Sequence, residues 1–276
     1  MLRKQFTDWR DQANPDAATR NAGAAAYRQL CGNRVPSPLE NILPEGSAFR
    51  AKLYPPNGAF RDPVTGFCCA LEVDPQDPNH FFLCIPGTGR GNAWSAQLKL
   101  DGLQFIGAGH DLPPAYRQAE ALFEALKKLI VAPKKLSVTG HSLGGGIASF
   151  IGCKHPDVSS VCYNAAALGA RLQTHLTHHL NGRKADNVTH IQIAGDPVSS
   201  PGAQKRLRSV AAFLTGGKTS KITLPVDFGT RYRVPRSMIS AAKRNPLSRH
   251  RLHAVADLYP ASDSRRPAIA GAVPKS

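Results

Sequence analysis

Lys134-Lys-Leu-Ser-Val-Thr-Gly-His-Ser-Leu-Gly-Gly-Gly-Ile-Ala-Ser-Phe-Ile-Gly-Cys-Lys-His-Pro-Asp-Val-Ser-Ser-Val-Cys-Tyr-Asn164 reads as a strand, a sharp turn, a helix and a second strand in immediate succession. The β-prone run Leu136 to Thr139 feeds straight into Gly140-His141-Ser142-Leu143-Gly144, and small and apolar residues then recur at helical spacing as far as Lys154. His155-Pro156 stops the helix, and Val158 to Asn164 reads as another buried strand. A strand, a crossover helix and a strand make a β-α-β unit, which implies a parallel sheet. In a G-x-S-x-G pattern between strand and helix, the serine occupies a strained turn that glycine neighbours leave uncrowded, so its hydroxyl stands clear of the sheet. Ser142 is therefore the candidate nucleophile. A glycine-rich connector with no chemistry is the competing reading, and the strand and helix on either side decide against it. Gly145 and Gly146 extend the pattern by letting the helix approach its neighbours closely.

Composition sets the frame. A chain of 276 residues with 42% hydrophobic content can bury one substantial core, and one main domain is expected. Its expected limits are 34–260, with an N-terminal arm or outer helix over 1–33 and a C-terminal tail over 261–276. No apolar run of about 18 residues is present to span a bilayer. The first residues, Met1 to Asp16, include basic residues but lack the apolar stretch of a Sec signal, and Asp8, Asp11 and Asp16 argue against a transit peptide, so the expected location is cytoplasmic or reached by a specialised secretion system. Six cysteines include the adjacent pair Cys68-Cys69, and Cys84 and Cys162 lie in buried-strand patterns, so reduced core thiols are expected rather than a disulfide framework. The net charge of +16, from 35 basic against 19 acidic residues, attracts anionic partners. The basic residues thicken late, at Lys205, Arg206, Arg208, Arg231, Arg233, Arg236, Lys243, Arg244, Arg249 and Arg251, where a solvated surface and a membrane-docking face are both open.

Before the nucleophile, three strands are expected: Ala48 to Tyr54 by its alternation, Gly66 to Val73, and His80 to Ile85. The last ends in Pro86-Gly87-Thr88-Gly89-Arg90-Gly91, whose glycines leave backbone N–H groups able to face a developing oxyanion. Ala93 to Leu98 carries Trp94 and fits either a mobile lid or a surface helix. Pro113-Pro114 opens a helix in which Ala119, Leu122, Phe123, Leu126, Leu129 and Ile130 recur at three and four as an apolar face. Beyond Asn164, His175 and His179 stand one helical turn apart. That spacing allows a metal pair, but no carboxylate or cysteine lies among them, and a solvent-facing helix is the expectation.

Val188 to Ile193 reads as the next strand and ends at Ala194-Gly195-Asp196-Pro197, which puts a carboxylate at a strand's carboxyl end. A serine hydroxyl needs a base held in one tautomer by an acid, in the chain order Ser, Asp, His. Of ten histidines only His250 and His253 follow Asp196. His250 precedes the last helical pattern and is the expected base, with His253 as the alternative. Asp157, Asp186 and Asp227 are the other carboxylates in range, but only Asp196 directly follows a strongly β-patterned run. His141, adjacent to Ser142 in sequence, points elsewhere.

From about Ser47 to Tyr259 the chain resembles the class 3 (fungal-type) lipases, a family of α/β-hydrolases. Gly140 to Gly144 matches their G-H-S-L-G elbow, Gly195-Asp196-Pro197-Val198 is similar to the loop bearing the triad acid, and Ile85-Pro-Gly-Thr88 is similar to the oxyanion segment. Pro86 stands where the family usually has arginine. The resemblance implies a mostly parallel central sheet with helices on both faces and antiparallel strands leading in. It also implies Thr88 and Leu143 as oxyanion-hole residues, and a lipase or phospholipase acting through Ser142, Asp196 and His250. The strand Ala48 to Tyr54 resembles bacterial effector-like members. A lipid ester is the implied substrate, with peripheral contact to anionic membrane and with no cofactor or metal. The alternative is a non-catalytic basic module that binds anionic membrane or nucleic acid; no aromatic-interleaved groove, zinc pattern or helix-turn-helix supports nucleic acid as the partner.

Overall fold

A computed structural model describes residues 37–54, 58–74, 77–87, 112–196, 198–199 and 228–234. Eight strands form one sheet whose spatial order follows the chain: β1 (Leu53–Tyr54), β2 (Ala59–Arg61), β3 (Cys68–Asp74), β4 (Asp77–Ile85), β5 (Lys135–His141), β6 (Ser160–Tyr163), β7 (Val188–Ile193) and β8 (Thr230–Val234). The strands from β1 to β4 pair antiparallel. From β4 to β8 every pair is parallel. This is an α/β-hydrolase-like sheet, mostly parallel with antiparallel strands leading in.

The crossovers are α2 (Pro114–Leu129), α3 (Leu143–Lys154) and α4 (Ala170–Leu180); a single turn, α1 (Leu39–Ile42), precedes the sheet. Right-handed crossovers that always step the same way along a sheet deposit their helices on one face. The packing agrees: Tyr116, Ala119, Leu122, Phe123 and Leu126 of α2, Ile147, Phe150 and Ile151 of α3, and Leu172 and Leu176 of α4 share one core with Phe81, Leu83, Ile85, Val138, Cys162 and Val188. Those strand residues alternate with Phe82, Cys84, Thr139, Val161, Tyr163 and Ile191, which are also buried and occupy the opposite face. Helices expected on that second face fall outside the described residues.

Three expectations change. Ala48 to Tyr54 is not a continuous strand: Arg50–Lys52 winds into a 3₁₀ turn and only Leu53–Tyr54 pairs. The Ser47 hydroxyl accepts the Arg50 N–H at 3.2 Å, a local side-chain bond that competes with strand pairing. Asp62 then anchors the region. It accepts Lys52 Nζ at 2.5 Å and Gln118 Nε2 at 2.5 Å, together with the Val64 N–H at 2.9 Å, and these hydrogen bonds overcome its burial to hold the carboxyl down at about 2. Second, Arg231, counted above with the late basic residues, is half-buried in β8 opposite His190, a strand that the sequence pattern does not reveal. Third, α4 is not merely solvent-facing. Leu172, Leu176 and Leu180 are buried, Lys154 Nζ donates to His175 Nε2 at 3.5 Å, and His179 Nε2 donates to the Lys154 carbonyl at 3.2 Å. Both histidines are engaged with α3, and no metal-binding cluster occurs among the described residues.

The cysteines Cys68, Cys69, Cys84, Cys153 and Cys162 are free thiols. Burial pushes Cys153 and Cys162 up to about 12, which keeps them protonated and unreactive. Among the described residues no helix is long and apolar enough to cross a membrane.

Candidate active site

Strand β5 delivers Ser142 to the carboxyl edge of the sheet at φ 55°, ψ −122°, a backbone conformation that side chains rarely adopt. Its surroundings fix it there. The Ser142 N–H donates to the Tyr163 carbonyl at 3.1 Å, while the Ser142 carbonyl accepts the N–H groups of Gly146 at 3.1 Å and Ala166 at 2.8 Å. The turn closes only because its flanks lack side chains. A Cβ on Gly140 would run into the Gly144 carbonyl, and one on Gly144 would run into the carbonyls of Ile85 and Pro86. Gly145 sits against Ala165, where a Cβ would lie 2.8 Å from the alanine methyl. This is the strained strand-to-helix elbow that the glycine spacing predicts.

Ser142 is also the residue immediately before α3, a helix of twelve residues. The first N–H groups of a helix have no intrahelical acceptor and carry partial positive charge, and Leu143, the first residue of α3, places one of them beside Ser142. The chain leaving β4 approaches from the other side. A Cβ on Gly87 would stand 2.8 Å from the Ser142 Cβ, 3.1 Å from the His141 carbonyl and 3.2 Å from His141 Nδ1. Only glycine lets this backbone pass so near the serine. Thr88, the next residue, is outside the described residues.

The carboxyl ends of β6 and β7 complete this edge. Asn164 follows β6 at φ 44°, and its Oδ1 accepts the Ile193 N–H at 2.9 Å while its own N–H donates to the Ile191 carbonyl at 2.9 Å. Asn164 thus clamps the end of β7, and sequence reasoning named it only as the end of a strand. Past β7, Asp196 is fully buried. Its Oδ1 accepts the Val198 N–H at 3.2 Å; its Oδ2 accepts the Ser199 N–H at 3.1 Å and the Ser199 hydroxyl. Ser142, Leu143, Gly87 and Asp196 therefore share one edge, with β6 alone between β5 and β7. At a strand spacing of about 4.8 Å, the serine and acid positions are roughly 10 Å apart along the sheet.

The other carboxylates lie elsewhere. Asp157 precedes β6 and Asp186 precedes β7, which puts both at the amino ends of strands, and Asp157 pairs with Lys127 at 2.8 Å. Asp227, His250, His253 and the segment bearing Trp94 lie outside the described residues, as do 1–33 and 261–276. Ser199, buried against Asp196, was missed in the sequence. The signal was its place three residues after the acid, within reach of that carboxylate across a turn.

A mostly parallel sheet whose strained Gly-x-Ser-x-Gly turn leads from a central strand into a helix is an α/β-hydrolase-like fold. A family model described as a Tle-like phospholipase domain matches residues 96–240, more than half of the chain, and the chain belongs to that phospholipase-like family. Lipid ester hydrolysis is the activity class that this membership carries. Compared with curated proteins, the chain finds no match. The family match includes Ser142, Leu143, Asn164, Asp196 and Ser199 and ends before His250 and His253.

Proposed function

We propose that the chain is a serine lipase or phospholipase that cleaves carboxylic esters through an acyl-enzyme, as in the class 3 lipases that it resembles. Ser142 Oγ attacks the acyl carbonyl and passes its proton to His250, whose imidazole is oriented by Asp196. The negative charge that forms on the carbonyl oxygen is received by N–H groups at Leu143 and Thr88. Collapse expels the alcohol, protonated by His250, and leaves the acyl group on Ser142; water, deprotonated by the same imidazole, then releases the fatty acid. His253 is the alternative base. The catalytic unit is the 34–260 domain, and its basic surface supports peripheral contact with anionic lipid.

The observation that carries this reading is the backbone of Ser142, held at φ 55° before α3 with Gly87 against its Cβ. Strain of this kind costs stability and persists where function requires it. A purely binding module has no use for a serine backbone held in this way. The test is fatty acid release from mixed phospholipid and acylglycerol vesicles, resolved by lipid class. Wild-type protein is expected to release fatty acid and Ser142→Ala to fall by at least about 10⁴-fold, the scale on which a triad loses activity as a unit. Full activity in folded Ser142→Ala would exclude the mechanism.

A further inference from the structure

Three donors to the buried carboxylate of Asp196 come from the short turn that follows it. Asp196 has no exposed surface and Ser199 is 1% exposed. Two donors in this turn are backbone N–H groups, of Val198 and Ser199, which any side chain at those positions would leave in place. The third is the Ser199 hydroxyl on Oδ2. It is a side-chain donor, so unlike the two backbone groups it can be removed by substitution.

We infer that Ser199 is a positioning residue for the triad acid: its hydroxyl keeps Asp196 ionised and fixes the oxygen that the turn holds. This rests on the triad reading above. Hydrogen bonds to the charged form of a carboxylate favour that form, and bonds to a charged acceptor are among the stronger ones. When the hydroxyl is removed, the carboxylate takes up a proton at higher pH. While it remains charged, its less dispersed charge binds the imidazolium form of the base more tightly. Both effects raise the pH at which the base becomes competent, so the acid limb of the pH–rate profile moves upward.

The experiment uses the full chain and a soluble short-chain p-nitrophenyl ester, with kcat and KM measured across the acid-to-neutral range. Ser199→Ala should lower kcat by about tenfold or more with KM little changed, as expected for losing a hydrogen bond to a charged group, and should shift the acid limb upward. Ser199→Cys, similar in volume but a weak donor, should shift the limb in the same direction, and Ser199→Thr, which keeps the hydroxyl, should restore it. A wild-type limb and kcat in Ser199→Ala would overturn the inference. So would equal losses in Ser199→Ala and Ser199→Thr with an unmoved limb, since packing and not the hydroxyl would then matter. Asp196→Asn separates the two levels. If it is inactive while Ser199→Ala and Ser199→Cys are unshifted, only the inference fails; if it is fully active, the triad reading itself fails.

Discussion

At the scale of single residues, two side chains sit where ordinary folding preferences would not put them. Ser142 occupies a left-handed backbone region. Glycine adopts such a conformation without a Cβ penalty, and strained non-glycine residues cost on the order of 1–3 kcal/mol. Ser142→Gly is therefore expected to melt at or above the wild-type temperature while losing hydrolysis, and a melting temperature well below wild type would contradict strain at this position. Glu72, on β3, is buried with its Oε1 unpartnered, and burial alone pushes its carboxyl up to about 8. The folded protein then holds a proton that the unfolded chain releases above about pH 4.5. The contribution of this group to stability is fullest below that pH, falls as pH rises toward about 8, and levels off above it. Glu72→Gln should match wild type near pH 4 and melt several degrees higher near pH 8. Parallel melting curves at both pH values would refute this.

At the scale of elements, the elbow depends on what glycine omits. Gly144→Ala would drive a methyl into the backbone carbonyls of Ile85 and Pro86, which no rotamer change can relieve. The loop after β4 must shift, and with it Gly87. The expected outcome is a folded protein destabilised by about 1–3 kcal/mol, as overpacking costs, with hydrolysis reduced at least about 100-fold. Chemical denaturation and ester kinetics on the same preparation check both. The elements with strong local patterns were legible in the sequence: α2 from its apolar periodicity, β5 and α3 from the glycine spacing, and β7 from its continuous β-prone run. Those decided by longer-range contacts were not. Arg50–Lys52 alternates like a strand but winds into a turn under Ser47, and Thr230–Val234 carries charged residues that hide a strand added to the edge of β7. Ser199 and Asn164 were invisible for a related reason, because their roles are hydrogen bonds to groups that only the fold brings near.

At the scale of the whole molecule, the sheet order places the ends of β4, β5, β6 and β7 along one edge, so Ser142, the Gly87 backbone and the buried Asp196 line that edge without any reversal of strand order. The proposed mechanism also requires a base. His250→Ala is expected to lower kcat by several orders of magnitude and His253→Ala to change it little; the opposite pattern would transfer the role to His253. Net charge acts at this scale as well. With +16 overall, binding to vesicles rich in anionic lipid should weaken as salt rises, while kcat on a soluble ester should not. Salt-independent vesicle binding would remove electrostatics from substrate approach.

The central claim, that Ser142 is an activated nucleophile, is tested most directly by intact-mass and peptide analysis after exposure to a fluorophosphonate. A single adduct on Ser142, absent in Ser142→Ala and suppressed in Asp196→Asn, is the predicted result. An unmodified Ser142 in folded wild-type protein that otherwise binds lipid vesicles would contradict it and leave a lipid-binding module in place of an enzyme.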